Sequence, residues 1–220
     1  MSVGPAILTE RVWFPDPQEA LANPNGLVAI GGDFNVPRLL LAYRSGIFPW
    51  TADPISWWSP DPRAVLDLEA LHISRSLEAV RRRKQFEVTR DRAFRQVIEA
   101  CATERRHGNW ITEEFIDAYT RLHEAGHAHS VECWNAGKLV GGIYGVAIGA
   151  LFAGESMFFR ESNASKVALV SLAGHLRERG FKLFDIQMVT PTTAAFGAKE
   201  IRRAEYLKRL RSAVEMECRF

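Results

Sequence analysis

The feature that most constrains the fold is a run without charge. Between Lys138 and Glu155 no Asp, Glu, Lys, Arg or His occurs, and glycines punctuate the run at 141, 142, 145, 149 and 154. It is too short and too rich in glycine to span a bilayer, so it reads as buried sheet. Lys138–Val146 and Leu151–Phe159 form two paired strands. Residues 165–179 form a crossover helix ended by Gly180, and Lys182–Val189 a third strand. Glu155 is then a single carboxylate set inside an apolar stretch. A buried carboxylate without a partner is costly, so such a residue is paired, protonated or functional. Asp185 repeats the pattern in the third strand. These two acids are the candidate chemical centre.

The rest of the composition excludes more than it identifies. A chain of 220 residues builds one full core, or one domain with a smaller appendage. With 47% hydrophobic and 25% charged residues it is an ordinary globular sequence. A net charge of +2 names no partner, but basic residues outnumber acids from Arg63 to Arg106 and again from Lys199 to Arg219. A polyanion lying along part of the surface would suit this asymmetry, as would a solvated helix face. Cys101, Cys133 and Cys218 are isolated and odd in number, which fits a reducing compartment rather than a disulfide scaffold. The N-terminus lacks the pattern of a signal peptide. A cytoplasmic protein without a membrane segment is expected.

Along the chain, Phe14-Pro-Asp-Pro17 and Asn23-Pro-Asn-Gly26 are turn signals. Leu27–Ile30 is a short strand, and Val36-Pro37 opens a helix capped by Asn35 and ended near Gly46. The aromatic stretches Gly46–Trp50 and Trp57–Arg63 read either as stiff loops suited to a binding wall or as a small aromatic core that needs rigid turns. Strands follow at 64–68 and 86–89, with a Ser-capped helix between them. Helices follow at 93–102 and from Thr112 to Gly126, then a strand at 128–134 and a hairpin turn at Asn135-Ala-Gly137. A last helix covers roughly 204–213. The class is α+β around a mixed, mostly antiparallel sheet.

His123-Glu-Ala-Gly-His127 matches the H-E-x-x-H zinc signature, which needs both histidines on one continuous helix. Gly126 stands where the helical stripe stops and a strand pattern begins, so His127 falls past the helix end. No metal is expected. The order strand, strand, helix, strand is also similar to the coenzyme A acetyltransferase fold. The loop Arg160-Glu-Ser-Asn-Ala-Ser165 lacks that fold's pyrophosphate-binding glycines and adds an acid. The fold is kept and the cofactor is not.

Several segments together resemble the leucyl/phenylalanyl-tRNA–protein transferases. They include Asn23-Pro-Asn-Gly26, Gly31-Gly-Asp33, Gly46-Ile-Phe-Pro-Trp50, Trp57-Trp-Ser-Pro-Asp-Pro-Arg63, Leu71-His-Ile-Ser-Arg75, Gly126-His-Ala-His-Ser130, Gly141-Gly-Ile-Tyr-Gly145, Gly154-Glu-Ser-Met157 and Asn163-Ala-Ser-Lys166. The resemblance implies a small N-terminal domain over residues 1–62 and an acetyltransferase-like catalytic domain over 63–220. It implies transfer of Leu or Phe from aminoacyl-tRNA to the N-terminal Arg or Lys of an acceptor protein, marking it for degradation, without metal or cofactor. A monomer is expected. Asp185 and Gln187 match the family's catalytic pair and Glu155 its second acid. Tyr43, Trp50 and Trp110 match aromatics that hold the terminal adenosine, beside Thr190, which stands where the family often has Asn. Ile143, Phe152, Met157 and Leu172 are implied to line the pocket for the donated side chain.

The chemistry agrees with these roles. Alternation along a strand puts Asp185 and Gln187 on one face, about 7 Å apart, with Phe184, Ile186 and Met188 towards the core. Asp185 would then orient and charge Gln187, which accepts a hydrogen bond from the attacking amine, while Glu155 draws in the cationic acceptor. Arg75, Arg81, Arg82, Arg83 and Lys84 would contact acceptor-stem phosphates, giving affinity that falls steeply with salt. A coenzyme A-dependent N-acetyltransferase and a non-catalytic tRNA-binding protein remain the alternatives.

Overall fold

Turn chemistry cuts the N-terminal residues into short strands. In the computed structural model, which describes residues 4–104 and 110–220, β1 (Ala6–Leu8), β2 (Leu27–Gly31), β3 (Phe48–Ala52) and β4 (Ile55–Trp58) form a sheet in the order β1-β2-β4-β3. Helix α1 (Val36–Arg44) intervenes. Asn35 Oδ1 accepts the Arg38 N–H at 2.8 Å, and Pro37 occupies the first turn, where its missing donor costs nothing. Gly46, at φ 78°, ends the helix region. A Cβ there would lie 2.6 Å from the Leu207 side chain. The aromatic segments expected as loops instead pair as the hairpin β3–β4. Trp57 is fully buried and its indole N–H donates to the Gly31 carbonyl at 2.8 Å. Trp50 and Trp58 stay partly exposed.

The second sheet contains β5 (Arg63–Leu66), β6 (Glu87–Arg90), β7 (Ala128–Asn135), β8 (Lys138–Ile148), β9 (Leu151–Phe159), β10 (Leu183–Gln187) and β11 (Lys199–Ile201). Their order is β11-β5-β10-β9-β8-β7-β6. Only the β9–β10 pair in this sheet is parallel. The crossover helix α5 (Ala164–Glu178) joins those two strands, as a parallel connection requires. The β7–β8 turn has Ala136 at φ 48° and Gly137 at φ 74°, the left-handed pair that a two-residue hairpin loop needs. The fold is therefore α+β with a mixed, mostly antiparallel sheet. No helix among the described residues is long and apolar enough to cross a membrane.

Helices cover both faces of this sheet. On one face α3 (Phe94–Thr103) and α4 (Glu113–Glu124) bury Phe94, Val97, Phe115 and Tyr119 against Tyr144 and Val146 of β8. Val28 and Trp57 of the small sheet join the same cluster, so one core runs across both sheets. On the other face α5 packs with α2 (Arg75–Arg82), and Ser74 caps α2 through the Leu77 N–H at 3.3 Å. Helix α7 (Arg203–Val214) closes the β10 side. The sequence pattern misses β11 and the short helix α6 (Pro191–Ala195), both too brief to show a period.

The glycines of β8 are spacing devices. A Cβ on Gly141 would stand 2.5 Å from Ala164 Cβ, at the start of α5. Gly174, inside α5, has nothing within 4 Å of its would-be Cβ. Gly141→Ala should therefore cost about 1–3 kcal/mol by overpacking. Gly174→Ala should stabilise by about 0.5–1 kcal/mol. Urea unfolding midpoints check both, and midpoints moving in the same direction would contradict the spacing argument.

Candidate active site

The site is built on an ion pair in the sheet. Arg63 opens β5, and Asp185 lies on the neighbouring strand β10 opposite Val65; the two charged residues are at 1% and 0% exposure. Arg63 Nε donates to Asp185 Oδ1 at 2.9 Å and Nη2 to Oδ2 at 2.6 Å. Tyr206 of α7 donates its hydroxyl to Oδ2 at 2.8 Å, and the Gln187 backbone N–H donates to Oδ1 at 2.9 Å. The remaining guanidinium nitrogen reaches the Gly46 carbonyl at 3.1 Å, and the guanidinium lies over the rings of Phe48 and Tyr206. Burial would discourage the Arg63 charge, but Asp185 more than restores it and raises its pKa. Every lone-pair direction of Asp185 is thus occupied by this chain. It is absent from the lining of the two cavities described below, and its contacts are those of a residue that positions its neighbours.

What it positions is Gln187. The β5–β10 register slips between Asp185 and Gln187, which bulges Ile186 out of the ladder. The Met188 N–H then donates back to the Ile186 carbonyl at 2.6 Å, with Gln187 between them at φ 55°. This is a γ-turn on a positive-φ residue, a strained arrangement that persists only where its surroundings hold it. The expected strand alternation fails here. Phe184 enters the core, but Ile186 and Met188 line cavities. Asp185 binds the backbone of Gln187 and not its amide.

The Gln187 side chain belongs to Glu155 instead: its Nε2 donates to Glu155 Oε1 at 3.0 Å. The hydroxyl of Tyr119 approaches Oε2 at 3.4 Å and is itself bonded to the hydroxyl of Tyr43. Burial pushes the Glu155 carboxyl up to about 8, aided by the nearby Asp185 charge. The Tyr43 and Tyr119 hydroxyls and the Arg63 guanidinium hold it back. At neutral pH Glu155 is therefore mostly protonated.

Two cavities share the wall formed by Glu155, Ile186, Gln187, Met188 and Thr190. The first, about 320 Å³, adds Phe48, Pro49, Trp50 and Trp110. The second, about 550 Å³, adds Ile143, Met157 and Leu169. Trp50, Trp110, Thr190, Ile143 and Met157 therefore meet around the Glu155–Gln187 pair. Thr190 also caps α6 in a capping box with Thr193.

Three expected residues lie elsewhere. Tyr43, at 1% exposure, is packed between α1 and the core and has no face free for a base. Only its hydroxyl serves the site, from beneath. Phe152 points into the core against Phe184 and Phe220, and Leu172 lies on the buried side of α5, at 1% and 0% exposure. Leu169, one turn earlier on α5, takes the wall position instead. Arg75, Arg81, Arg82, Arg83 and Lys84 are exposed on and just after α2, where Arg81 pairs with Glu78 at 2.7 Å.

Helix α4 ends at Glu124, and Gly126 turns at φ 78° before β7. The His123 Nδ1–H bonds the Ala128 carbonyl at 2.8 Å, and His129 bonds Asp91 at 2.8 Å. The three histidines are split among a helix end, a turn and a strand. Among the described residues no metal-binding group of three is present.

The leucyl/phenylalanyl-tRNA protein transferase profile matches residues 65–211, and the profile of that family's N-terminal domain matches 32–61. A leucyl/phenylalanyl-tRNA–protein transferase of Shigella dysenteriae is 56% identical over 201 residues, covering 90% of this chain and 86% of that protein. The one of Citrobacter koseri is 54% identical over 203 residues, covering 91% and 87%. The chain belongs to the leucyl/phenylalanyl-tRNA–protein transferase family. It is an aminoacyltransferase, as the resemblance implied. A solved ribosomal-protein-alanine N-acetyltransferase of Brucella melitensis biovar Abortus is similar in fold, with a TM-score of 0.36 at 13% identity, over 50% of this chain and 84% of that one.

Within this transferase the residues that sequence reasoning missed are Arg63, Tyr119, Tyr206, Leu169 and Ile186. Arg63 carried a signal: it is a lone charge at the head of an apolar strand, the same oddity that marks Glu155.

Asp185→Ala leaves a buried guanidinium without its partner and should cost about 3–5 kcal/mol in urea unfolding. Replacing both members, as Arg63→Met with Asp185→Leu, should recover most of that. A mild single variant would contradict the pairing. Glu155 gives a pH test. The folded protein holds its proton more tightly than an unfolded chain, in which Glu titrates near 4.5. This contribution is therefore fully present below that pH and is lost as pH rises towards 8. Glu155→Gln removes the loss, so its melting temperature relative to the parent should rise between pH 5 and 9. A constant difference would exclude the raised pKa.

Proposed function

We propose that this chain transfers Leu or Phe from the ester of an aminoacyl-tRNA to the α-amine of an acceptor protein beginning with Arg or Lys. The observation that carries the reading is the Glu155–Gln187 pair standing on the wall between an aromatic chamber and an apolar one. The terminal adenosine fits the chamber of Trp50 and Trp110, where stacking contributes about 1–3 kcal/mol per base. The Leu or Phe side chain fits against Ile143, Met157 and Leu169. The ester between them then lies at Glu155 and Gln187.

The proton inventory follows from two matched pKa values. An α-ammonium titrates near 8, close to the value of about 8 for Glu155. The free α-amine and ionised Glu155 are therefore both populated near that pH, and the proton released on attack passes to Glu155 at little cost, which suits a general base and acid. Gln187 gives its amide N–H to Glu155, which turns its carbonyl oxygen to receive the incoming amine. The amine nitrogen bonds to the ester carbon and surrenders a proton to ionised Glu155. The ester C–O bond breaks, and Glu155 returns the proton to the leaving ribose oxygen. The products are an amide and uncharged tRNA, with no oxidant or cofactor needed.

The exposed bases of α2 offer a path for the acceptor stem, since α2 packs on α5, which contributes Leu169 to the cavity. Cys101 and Cys133 are buried thiols outside any disulfide, which suits the cytoplasm. A coenzyme A reading is disfavoured by Glu161, held by Asn135 Nδ2 at 2.9 and 3.1 Å just ahead of α5. A pyrophosphate there would meet a fixed carboxylate.

The test is incubation with Leu-tRNA and a peptide beginning with Arg, followed by mass measurement. The parent protein should add one leucine residue. Glu155→Gln should lower kcat by roughly 10²–10⁴-fold, the usual reach of general acid–base catalysis. Full turnover in that variant would remove Glu155 from the chemistry.

A further inference from the structure

A further concavity adjoins the aromatic chamber, sharing Trp50 and Met188 with it. It encloses about 550 Å³ and is bounded by Trp50, Trp58, Met188 and Val189, with Glu200 on its wall. Met188 and Val189 are among the few large apolar side chains left exposed, at 44% and 37%. Glu200 lies on the edge strand β11. Its carboxylate makes no hydrogen bond or ion pair among the described residues. Of the cations near it in sequence, Lys199 pairs with Asp67 at 3.9 Å and Arg203 donates to the carbonyls of Ser59 and Gln18, while the exposed Arg202 side chain makes no hydrogen bond or ion pair among the described residues.

We propose that this groove seats the cationic side chain of the acceptor's first residue, with Glu200 as the residue that selects it. The inference rests on the aminoacyl transfer proposed above. The groove and the reaction cavity share Trp50 and Met188. A residue whose α-amine reaches Gln187 can therefore extend its side chain over Met188 into the groove. The chemistry of the lining matches such a side chain. Met188 and Val189 cover an aliphatic stem, an indole face attracts a guanidinium or ammonium, and a free carboxylate supplies the countercharge. The same carboxylate repels a phosphodiester, so a further nucleotide of the tRNA end fits this groove worse than a cation does. Because Glu200 is an edge-strand residue with an exposed side chain, its replacement leaves the core intact.

The experiment measures KM for peptides that begin with Arg or with citrulline, its neutral isostere, and KM for Leu-tRNA. It uses the parent protein, Glu200→Gln and Glu200→Lys. The Arg-over-citrulline preference should fall about fivefold in Glu200→Gln, the scale of one exposed charge pair over an indole. It should reverse in Glu200→Lys, and the change should appear in the peptide KM. An undiminished preference in both variants overturns the assignment. A change confined to the Leu-tRNA KM overturns it too, and gives the groove to RNA. A parent protein that modifies no peptide overturns the transfer reading itself, and the groove's role with it.

Discussion

The buried pair of Arg63 and Asp185 is the interaction on which the rest depends. It joins β5, the strand that follows the small sheet, to β10, the strand that ends in the reaction centre. It also ties in α7 through Tyr206 and the end of α1 through the Gly46 carbonyl. Two charges removed from water gain little net stability from each other. What they gain is geometry, because a two-pronged guanidinium–carboxylate contact has one good orientation. The spare lone pair of Asp185 then holds the backbone of Gln187 in a turn that it would not choose alone.

Glu155 works by the opposite logic. No guanidinium touches it, and its partners are an amide and a tyrosine hydroxyl. One acid of the sheet is therefore fully compensated by its hydrogen bonds, and the other is undercompensated and poised near the pKa of an amine. Two carboxylates on neighbouring strands have been driven to different tasks by what surrounds them.

Much of this was legible beforehand. The uncharged run, the glycine stops at 126 and 180, the Asn35 and Ser74 caps and the Asn135–Gly137 turn place most elements, because each is a local event with a local residue signature. The two acids were legible for the same reason, as charges where none belongs. What escaped was set by tertiary context. Nothing local marks the bulge at Ile186, which breaks the strand alternation and exchanges the neighbours of Asp185 and Gln187. Tyr43, Phe152 and Leu172 lie in the core and not on the walls of the two cavities of the site, a distinction the sequence does not carry because an aromatic or aliphatic residue looks alike in both places. Leu169 and Leu172 sit on one helix, and only the angle at which α5 crosses the sheet decides which of them sees the substrate.

The single core spanning both sheets sets how the enzyme meets its donor. Trp50 stands on a hairpin whose other strand is pinned by Trp57, and that indole is sunk in the same cluster that supports Tyr119 beneath Glu155. The wall that carries Trp50 and the floor beneath Glu155 are therefore parts of one packed body, not two jaws. On the function proposed above, such a site recognises an incoming tRNA terminus by the shape it already has, and leaves adaptation to the flexible single strand that enters it.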